Sequence, residues 1–478
     1  MSDKLGDIAA TELRKYLHQV ADWIADYREN IATYRITPSE PPGAIRAQLP
    51  AAAPEGGEPL QQIIADVDRI VLPGITHWAH PDFMGYFGAT TTAPGILAEL
   101  FVAALNVNAM TWRTSPAATE LETVVLDWLR QWLQLPDEFS GVVYDTASIG
   151  SMHALAAARE EAATQVRERG LSGRNDVAVL RVYTSDQAHS SIDKAAIALG
   201  LGEQNVVRIS SDDSFRIDLA ALQAAIEADQ GAGLKPLAVV ATVGTTSTAS
   251  VDPVREIAAL CRRHGLWLHV DAAYGGGLCV VPEMQWILDG FDLADSIVIN
   301  PHKMLFVPFD FSALYVRDIS RLRRVFTLVP EYLRGDADDA EINYMDYGVQ
   351  LGRRFRALKA WMVWRTFGRE GLAARIRDHL RLAHLFTSWV ETDQRFELSA
   401  PTVMGVVCFR FVGADADLDA INQQIVENVN ATGRTYFMQT KLRGRSVIRL
   451  GLGNILTTEA NVRRSWELIR ETAVAVSN

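Results

Sequence analysis

Lysine is scarce in this chain. Of its 46 basic residues only seven are lysines: Lys4, Lys15, Lys194, Lys235, Lys303, Lys359 and Lys441. Any chemistry that needs a primary amine therefore has few candidates. Cysteine is scarcer still, with Cys261, Cys279 and Cys408. They are odd in number, scattered and in no CxxC pair, which argues against a disulfide framework or a zinc site and for buried thiols in a reducing compartment. No apolar run approaches the ~18 residues of a membrane span. The opening MSDKLGDIAA lacks the apolar core of a signal peptide. Positive charge is in deficit: 46 Lys plus Arg against 58 Asp plus Glu give a net charge of −12. That excludes a global attraction for nucleic acid or an anionic membrane. A cytoplasmic protein is expected, with no metal, nucleic acid or membrane as partner.

What is present is a globular composition, 48% hydrophobic and 22% charged, in 478 residues. One hydrophobic core stops growing at roughly 250–300 residues, so a large domain with smaller ones is expected. Leu13, Leu17, Val20, Ile24 and Tyr27 recur at spacings of three and four and predict an amphipathic helix over 11–30. The Pro/Gly-rich stretch 37–59 reads as an extended arm, and a second helix over 60–72 ends at Pro73-Gly74. Two helices on such an arm cannot bury both apolar faces alone, so they must pack on the main domain or on a partner subunit. Ser115 as N-cap and Pro116 at the first helical position open another helix.

From about 140 to 316, β-branched runs alternate with helical stretches. Strands are predicted at 142–145, 177–183, 205–209, 237–243, 266–270, 295–299 and 312–316. Helices are predicted at 149–168, 190–200, 218–229 and 253–264. This alternation defines an α/β domain with a mostly parallel sheet covered on both faces. A helical stretch over 353–390, broken at Gly368 or Gly371, leads to strands at 404–411, 435–439 and 446–450 and helices at 417–430 and 458–475, a small α+β domain. The expected boundaries are 1–92 for the helical arm, 93–368 for the large domain and 369–478 for the small one.

Open α/β sheets bind ligands at the carboxyl ends of their strands. The first strand end here carries Thr146-Ala147-Ser148-Ile149-Gly150-Ser151, opening a helix. Small and hydroxylated residues at a helix N-terminus offer free N–H groups and the positive dipole end to an anion, although such residues also serve as simple caps. The second end carries His189, the next Gly244-Thr245-Thr246-Ser247-Thr248, then Asp271, and finally Asn300-Pro301-His302-Lys303. A carboxylate after an apolar strand needs a cationic partner, and lysine is among the residues least expected in a buried setting. One cofactor uses all of these groups: pyridoxal 5′-phosphate. A lysine amine condenses with its aldehyde, a carboxylate keeps its pyridine nitrogen protonated, and a helix N-terminus holds its phosphate.

The segments TPSEPPGAIRAQLPAAAP near 37–54, THWAHPDFMGYF at 76–87, SPAATELETVVLDWL at 115–129 and DQAHSSIDKA at 186–195 carry a resemblance, as do HVDAAYGG at 269–276, NPHKML at 300–305 and LGRRFRALKAW at 351–361. With these the chain resembles the pyridoxal-phosphate-dependent group II decarboxylases, above all their aromatic-amino-acid branch, over nearly its whole length. The resemblance implies the fold-type I, aminotransferase-like architecture, an N-terminal helical arm and a homodimer with active sites at the subunit interface. It implies that Lys303 binds the cofactor covalently, that Asp271 pairs with the pyridine nitrogen, and that His189 and Ala273 cover the two ring faces. Ala147, Ser148 and Asn300 fall in the phosphate cradle, with Thr246 and His302 beside the cofactor.

The same resemblance places Trp78, Tyr86, Phe87, Asn108, Met110 and Gly352 at the substrate pocket. The 86–89 and 107–110 segments depart from the animal enzymes. Glycine at 352 goes with indole substrates in related plant enzymes. Tyr332, beside the acidic run 334–343, aligns with a lid tyrosine that returns a proton to Cα. The implied reaction is decarboxylation of an aromatic L-amino acid (tryptophan, phenylalanine, tyrosine or DOPA) to its amine. The alternatives are an aromatic aldehyde synthase, a glutamate or histidine decarboxylase, or a cofactor-binding sensor without catalysis. Tyr332 and His189 argue against the synthase. No cation in 83–89 or 107–112 awaits an acidic substrate, and neither chain end offers a basic helix-turn-helix.

Overall fold

The central strands of a parallel sheet lie between two layers of helix and so are apolar along their length. β4 (Lys235–Thr242) is buried over its last six residues and β5 (Trp267–Asp271) over all five. The computed structural model describes residues 7–162, 165–328, 341–414 and 417–477. Its large sheet has seven strands. The other five are β1 (Ser140–Tyr144), β2 (Leu180–Ser185), β3 (Val206–Ile209), β6 (Ser296–Ile299) and β7 (Ser312–Val316), in the order β1-β7-β6-β5-β4-β2-β3. The run from β6 to β3 is parallel, and β7 is antiparallel to both its neighbours. In register, Thr242, Asp271 and Val298 stand side by side across β4, β5 and β6. The strand ends that carry the candidate chemistry therefore open on one edge.

All seven expected strands of this sheet occur within a few residues of their predicted limits. The Ser115 side chain accepts from the Ala118 N–H and Pro116 opens the helix Pro116–Trp132, as the capping pattern requires. Gly265, at φ +69°, ends the helix Val254–His264 in the left-handed conformation that favours glycine. The helix Ala147–Ala162 closes tightly on β6, because a Cβ at Gly150 would lie 2.7 Å from Val298 Cγ2.

Several elements escape the sequence pattern, among them the helix Ala44–Gln48, inside the stretch 37–59 read as an extended arm, and the helix Ile319–Phe326. The helix Ala93–Leu105 (APGILAELFVAAL) is apolar on nearly all sides and shows no periodic stripe. The strand β8 (Phe396–Leu398) is only three residues long. β8 edges a second, antiparallel sheet, β10-β11-β9-β8, with β9 (Val406–Phe411), β10 (Met438–Leu442) and β11 (Arg445–Gly451). The long helix Ala357–Thr392 is broken at Gly368, at φ +62°.

The apolar faces of two helices stay exposed among the described residues. The helix Ala10–Asn30 buries none of its residues, and Leu13 and Leu17 stand exposed. The helix Ala93–Leu105 exposes Leu97, Leu100, Phe101 and Leu105.

Candidate active site

Lys303 sits on the short helix Pro301–Met304 that follows β6, with its backbone N–H bonded to Asn300 O at 2.9 Å. Its amine stands 4.7 Å from the centre of the Phe87 ring. The Arg449 guanidinium is also 4.7 Å from that ring, and Tyr274 stacks on it at 4.0 Å. Burial drives the Lys303 pKa down to about 8, against the upward pull of Asp271 and with a further downward push from Arg449. Near neutrality the amine is thus uncharged far more often than that of an ordinary lysine.

Asp271 ends β5, is buried, and accepts from the Ala273 N–H at 3.1 Å. Among the described residues no cation lies within ion-pair distance of it. His189 faces the same space. Its Nδ1 accepts from the Ser191 N–H at 3.1 Å, so the neutral ring carries its proton on Nε2, and burial lowers its pKa. His302 Nδ1 accepts from the Phe311 N–H at 3.0 Å, and its pKa is pushed down to about 3 by burial and by Lys303.

These groups line one cavity of about 500 Å³. Ala147 and Ser148 open the helix Ala147–Ala162 at its wall, and Thr246, Ala273 and Asn300 complete the set expected from sequence. The first N–H groups of a helix have no partner within it, so this wall suits an anion. Among the buried polar atoms of the lining, Thr242 Oγ1, Asn300 Oδ1 and Arg449 Nη2 lack a partner among the described residues. Leaving such groups unmade costs about 1–3 kcal/mol each, which a polar ligand would recover. An amine, a carboxylate, a flat apolar wall and an anion-binding helix end fit pyridoxal 5′-phosphate in charge and in shape.

Of the residues expected at the substrate, Tyr86 and Phe87 line this cavity. Trp78 stands behind Tyr86, ring on ring at 5.1 Å. Asn108, Met110 and Gly352 lie elsewhere, in a knot of their own. Asn108 Nδ2 reaches Met110 Sδ at 3.4 Å, while its Oδ1 accepts from the Arg353 N–H at 2.9 Å. The Arg353 side chain is buried against Glu122 at 2.6 Å and bonds the carbonyls of Ala109 and Val143. Tyr332 lies outside the described residues.

Sequence reasoning missed Arg449. It reaches the cavity from β11 of the small sheet, is buried, and binds the carbonyls of Tyr86, Thr246 and Ser247. Met438, Gln439 and Thr440 of β10 arrive with it. No local motif marks them. A buried-strand arginine in an otherwise apolar run (SVIRLGLG) was the available signal.

A doubly wound sheet whose strand ends gather a lysine, an unpaired carboxylate and an anion-binding helix start defines an enzyme built for an aldehyde cofactor. The chain belongs to the pyridoxal-dependent decarboxylase family, whose conserved domain matches residues 42–412. It is 39% identical to the aromatic-L-amino-acid decarboxylase of Bos taurus, over 98% of this chain and 97% of that protein. It is 38% identical to the phenylacetaldehyde synthase of Arabidopsis thaliana, over 97% and 96%. Its fold superposes on the crystal structure of Oryza sativa TDC with PLP and tryptamine at a TM-score of 0.95, with 38% identity, covering 99% of this chain and all of that one. Among the described residues no helix is long and apolar enough to cross a membrane, and no cluster of side chains could hold a metal ion.

Proposed function

We propose that the protein decarboxylates aromatic L-amino acids to the arylalkylamine and carbon dioxide, with pyridoxal 5′-phosphate held in the cavity. When bound, that group supplies an aldehyde for amines to condense with and a protonated pyridine ring that takes up the electron pair left by departing carbon dioxide. The observation that carries this reading is the meeting of Lys303, Asp271 and the Ala147–Ser148 helix start in one cavity.

The placement of the chain's own residues supports a role for each. Lys303, partly uncharged near neutrality, is the amine that holds the cofactor. Asp271, without a cation of its own, keeps a proton on the pyridine nitrogen. Ala147, Ser148 and Asn300 hold the phosphate, Thr246 and His302 lie beside the cofactor, and His189 and Ala273 cover its ring. Arg449 offers a buried charge and an unpartnered N–H to the substrate carboxylate. Lys303 and Arg449 are the lysine and arginine of the described lining, so a second carboxylate, as in glutamate, finds no further strong cation. Tyr86, Phe87 and Phe309 give the wall an aromatic character suited to an aromatic side chain. The bovine relative is named for aromatic amino acids, and the rice neighbour was crystallised with tryptamine.

A homodimer completes the proposal. The uncovered faces of helices Ala10–Asn30 and Ala93–Leu105 support it, since exposed apolar patches of this kind mark subunit contacts. In such a dimer the Asn108–Met110–Gly352 knot reaches the partner's cavity and completes its substrate pocket, and the 1–92 arm packs on the partner. The enzyme is assigned to the cytoplasm on its composition.

The Arabidopsis relative supports a second reading, oxidative conversion to an aldehyde. Product analysis on a panel of amino acids separates the two. Equal amounts of amine and carbon dioxide from tryptophan, phenylalanine, tyrosine or DOPA, with glutamate and histidine poor, is the expected outcome. Aldehyde, ammonia and peroxide as the main products would favour the second reading. A preference for glutamate would overturn both.

A further inference from the structure

His269 lies two residues before Asp271 on β5, on the same face of the strand. Its ring is fully enclosed. Nδ1 stands 2.9 Å from Ser296 Oγ and Nε2 stands 3.0 Å from Ser151 Oγ. Trp267 Nε1–H donates to the same Ser296 Oγ at 2.8 Å. One continuous chain, Trp267–Ser296–His269–Ser151, therefore joins three elements of the site. Ser296 opens β6, the strand that delivers Asn300 and Lys303. Ser151 lies one turn along the helix that begins at Ala147. His269 itself belongs to the strand that ends in Asp271.

The partners of the ring are neutral hydroxyls. Asp271 is the charged group that faces it, and burial holds the ring's pKa down at about 4 against that carboxylate's pull. A neutral ring leaves that charge directed at the cavity.

We propose that His269 is a positioning residue: its ring, held between the Ser296 and Ser151 hydroxyls, ties β5 to β6 and to the helix that begins at Ala147, and so holds the Asp271 carboxylate against the cavity for the ring nitrogen of the cofactor. The proposal rests on the reading that Asp271 meets that nitrogen. It assigns to the Ser296–His269–Ser151 chain a part in cofactor binding as well as in packing, because buried polar networks that are fully satisfied fix one geometry.

A double-mutant cycle tests it. The affinity of the apoenzyme for pyridoxal 5′-phosphate is measured by quenching of tryptophan fluorescence, with circular dichroism checking that each variant folds. His269→Phe is expected to weaken binding by about tenfold when Asp271 is present and by less than about twofold in the Asp271→Asn background. Ser151→Ala, the milder variant, is expected to show the same pattern at about threefold. Equal losses with and without Asp271 would overturn the proposal while leaving the Asp271 reading intact. An Asp271→Asn apoenzyme with unchanged affinity would overturn that reading and the proposal with it.

Discussion

The amine of Lys303 and the ring of Phe87 face each other at 4.7 Å, and Arg449 stands on the same ring at the same distance. Two like charges thus share one aromatic wall. Cation–π attraction is worth about 0.5–2 kcal/mol per cation and partly offsets their repulsion. Burial, with a smaller push from Arg449 and against the pull of Asp271, brings the Lys303 pKa down to about 8.

Lys303 is the amine expected to carry the cofactor. Borohydride treatment of the holoenzyme, followed by peptide mapping, should tag Lys303. Lys303→Ala should lose the visible absorption band and turnover. A tag on any of the other six lysines would contradict the assignment.

Asp271 and Arg449 pull the Lys303 pKa in opposite directions, so their removal should do the same. In the apoenzyme, the rate of covalent capture of pyridoxal 5′-phosphate should rise with pH through a midpoint near 8. Asp271→Asn removes the anion that favours the charged amine and should lower that midpoint. Arg449→Gln removes the opposing cation and should raise it. Shifts in the same direction would refute the electrostatic account. Asp271→Asn should also reduce turnover by of order 10²–10⁴, through loss of several kcal/mol of charge stabilisation, with Asp271→Glu less damaged.

Tyr332 is proposed to return the proton to Cα. Tyr332→Phe should slow amine release and divert the reaction to oxygen, giving aldehyde, ammonia and peroxide. A variant that makes only amine at an unchanged rate would exclude Tyr332 as the donor.

Gly352 is not in the left-handed region, and a Cβ built there meets nothing within 4 Å among the described residues. Backbone geometry therefore does not demand glycine at 352, which favours the reading that the missing side chain leaves room for a bicyclic ring. Gly352→Ser should lower kcat/KM for tryptophan more than for tyrosine. An equal loss on both would assign Gly352 to the subunit contact alone.

Three buried histidines, His153, His269 and His379, have pKa values depressed by burial to about 4, from an ordinary 6.5. Below pH 6.5 the unfolded chain takes up protons that the folded chain refuses. Stability should therefore be complete above 6.5 and fall as the pH drops towards 4, by up to about 3 kcal/mol for each ring. Neither nitrogen of His153 has a partner among the described residues. His153→Leu should thus flatten the acid limb of the urea midpoint between pH 7 and 4.5 without loss at neutral pH. An unaltered acid limb would show that His153 is not among the groups responsible.

The seven strands and most helices were legible because period-2 and period-3.6 apolar patterns and caps are local properties of the chain. The residues at the strand ends were legible for the same reason: each of Ala147, Ser148, His189, Thr246, Asp271 and Lys303 stands just beyond a readable strand, and the sheet's parallel register brings those ends to one edge. The helix Ala93–Leu105 was not legible, since an almost wholly apolar segment has no period. Nothing local marks Arg449 as a site residue. It becomes one because the antiparallel small sheet packs β10 and β11 over the mouth of the large one, where its guanidinium meets Phe87 and the carbonyls of the 246–247 turn. The same holds for the separation of Asn108, Met110 and Gly352 from the cavity of their own chain. The sequence by itself determined the elements and the chemistry they carry. Which distant side chains share a space was decided by tertiary packing, because shape and charge complementarity between faces far apart along the chain leave no trace in any one stretch of it.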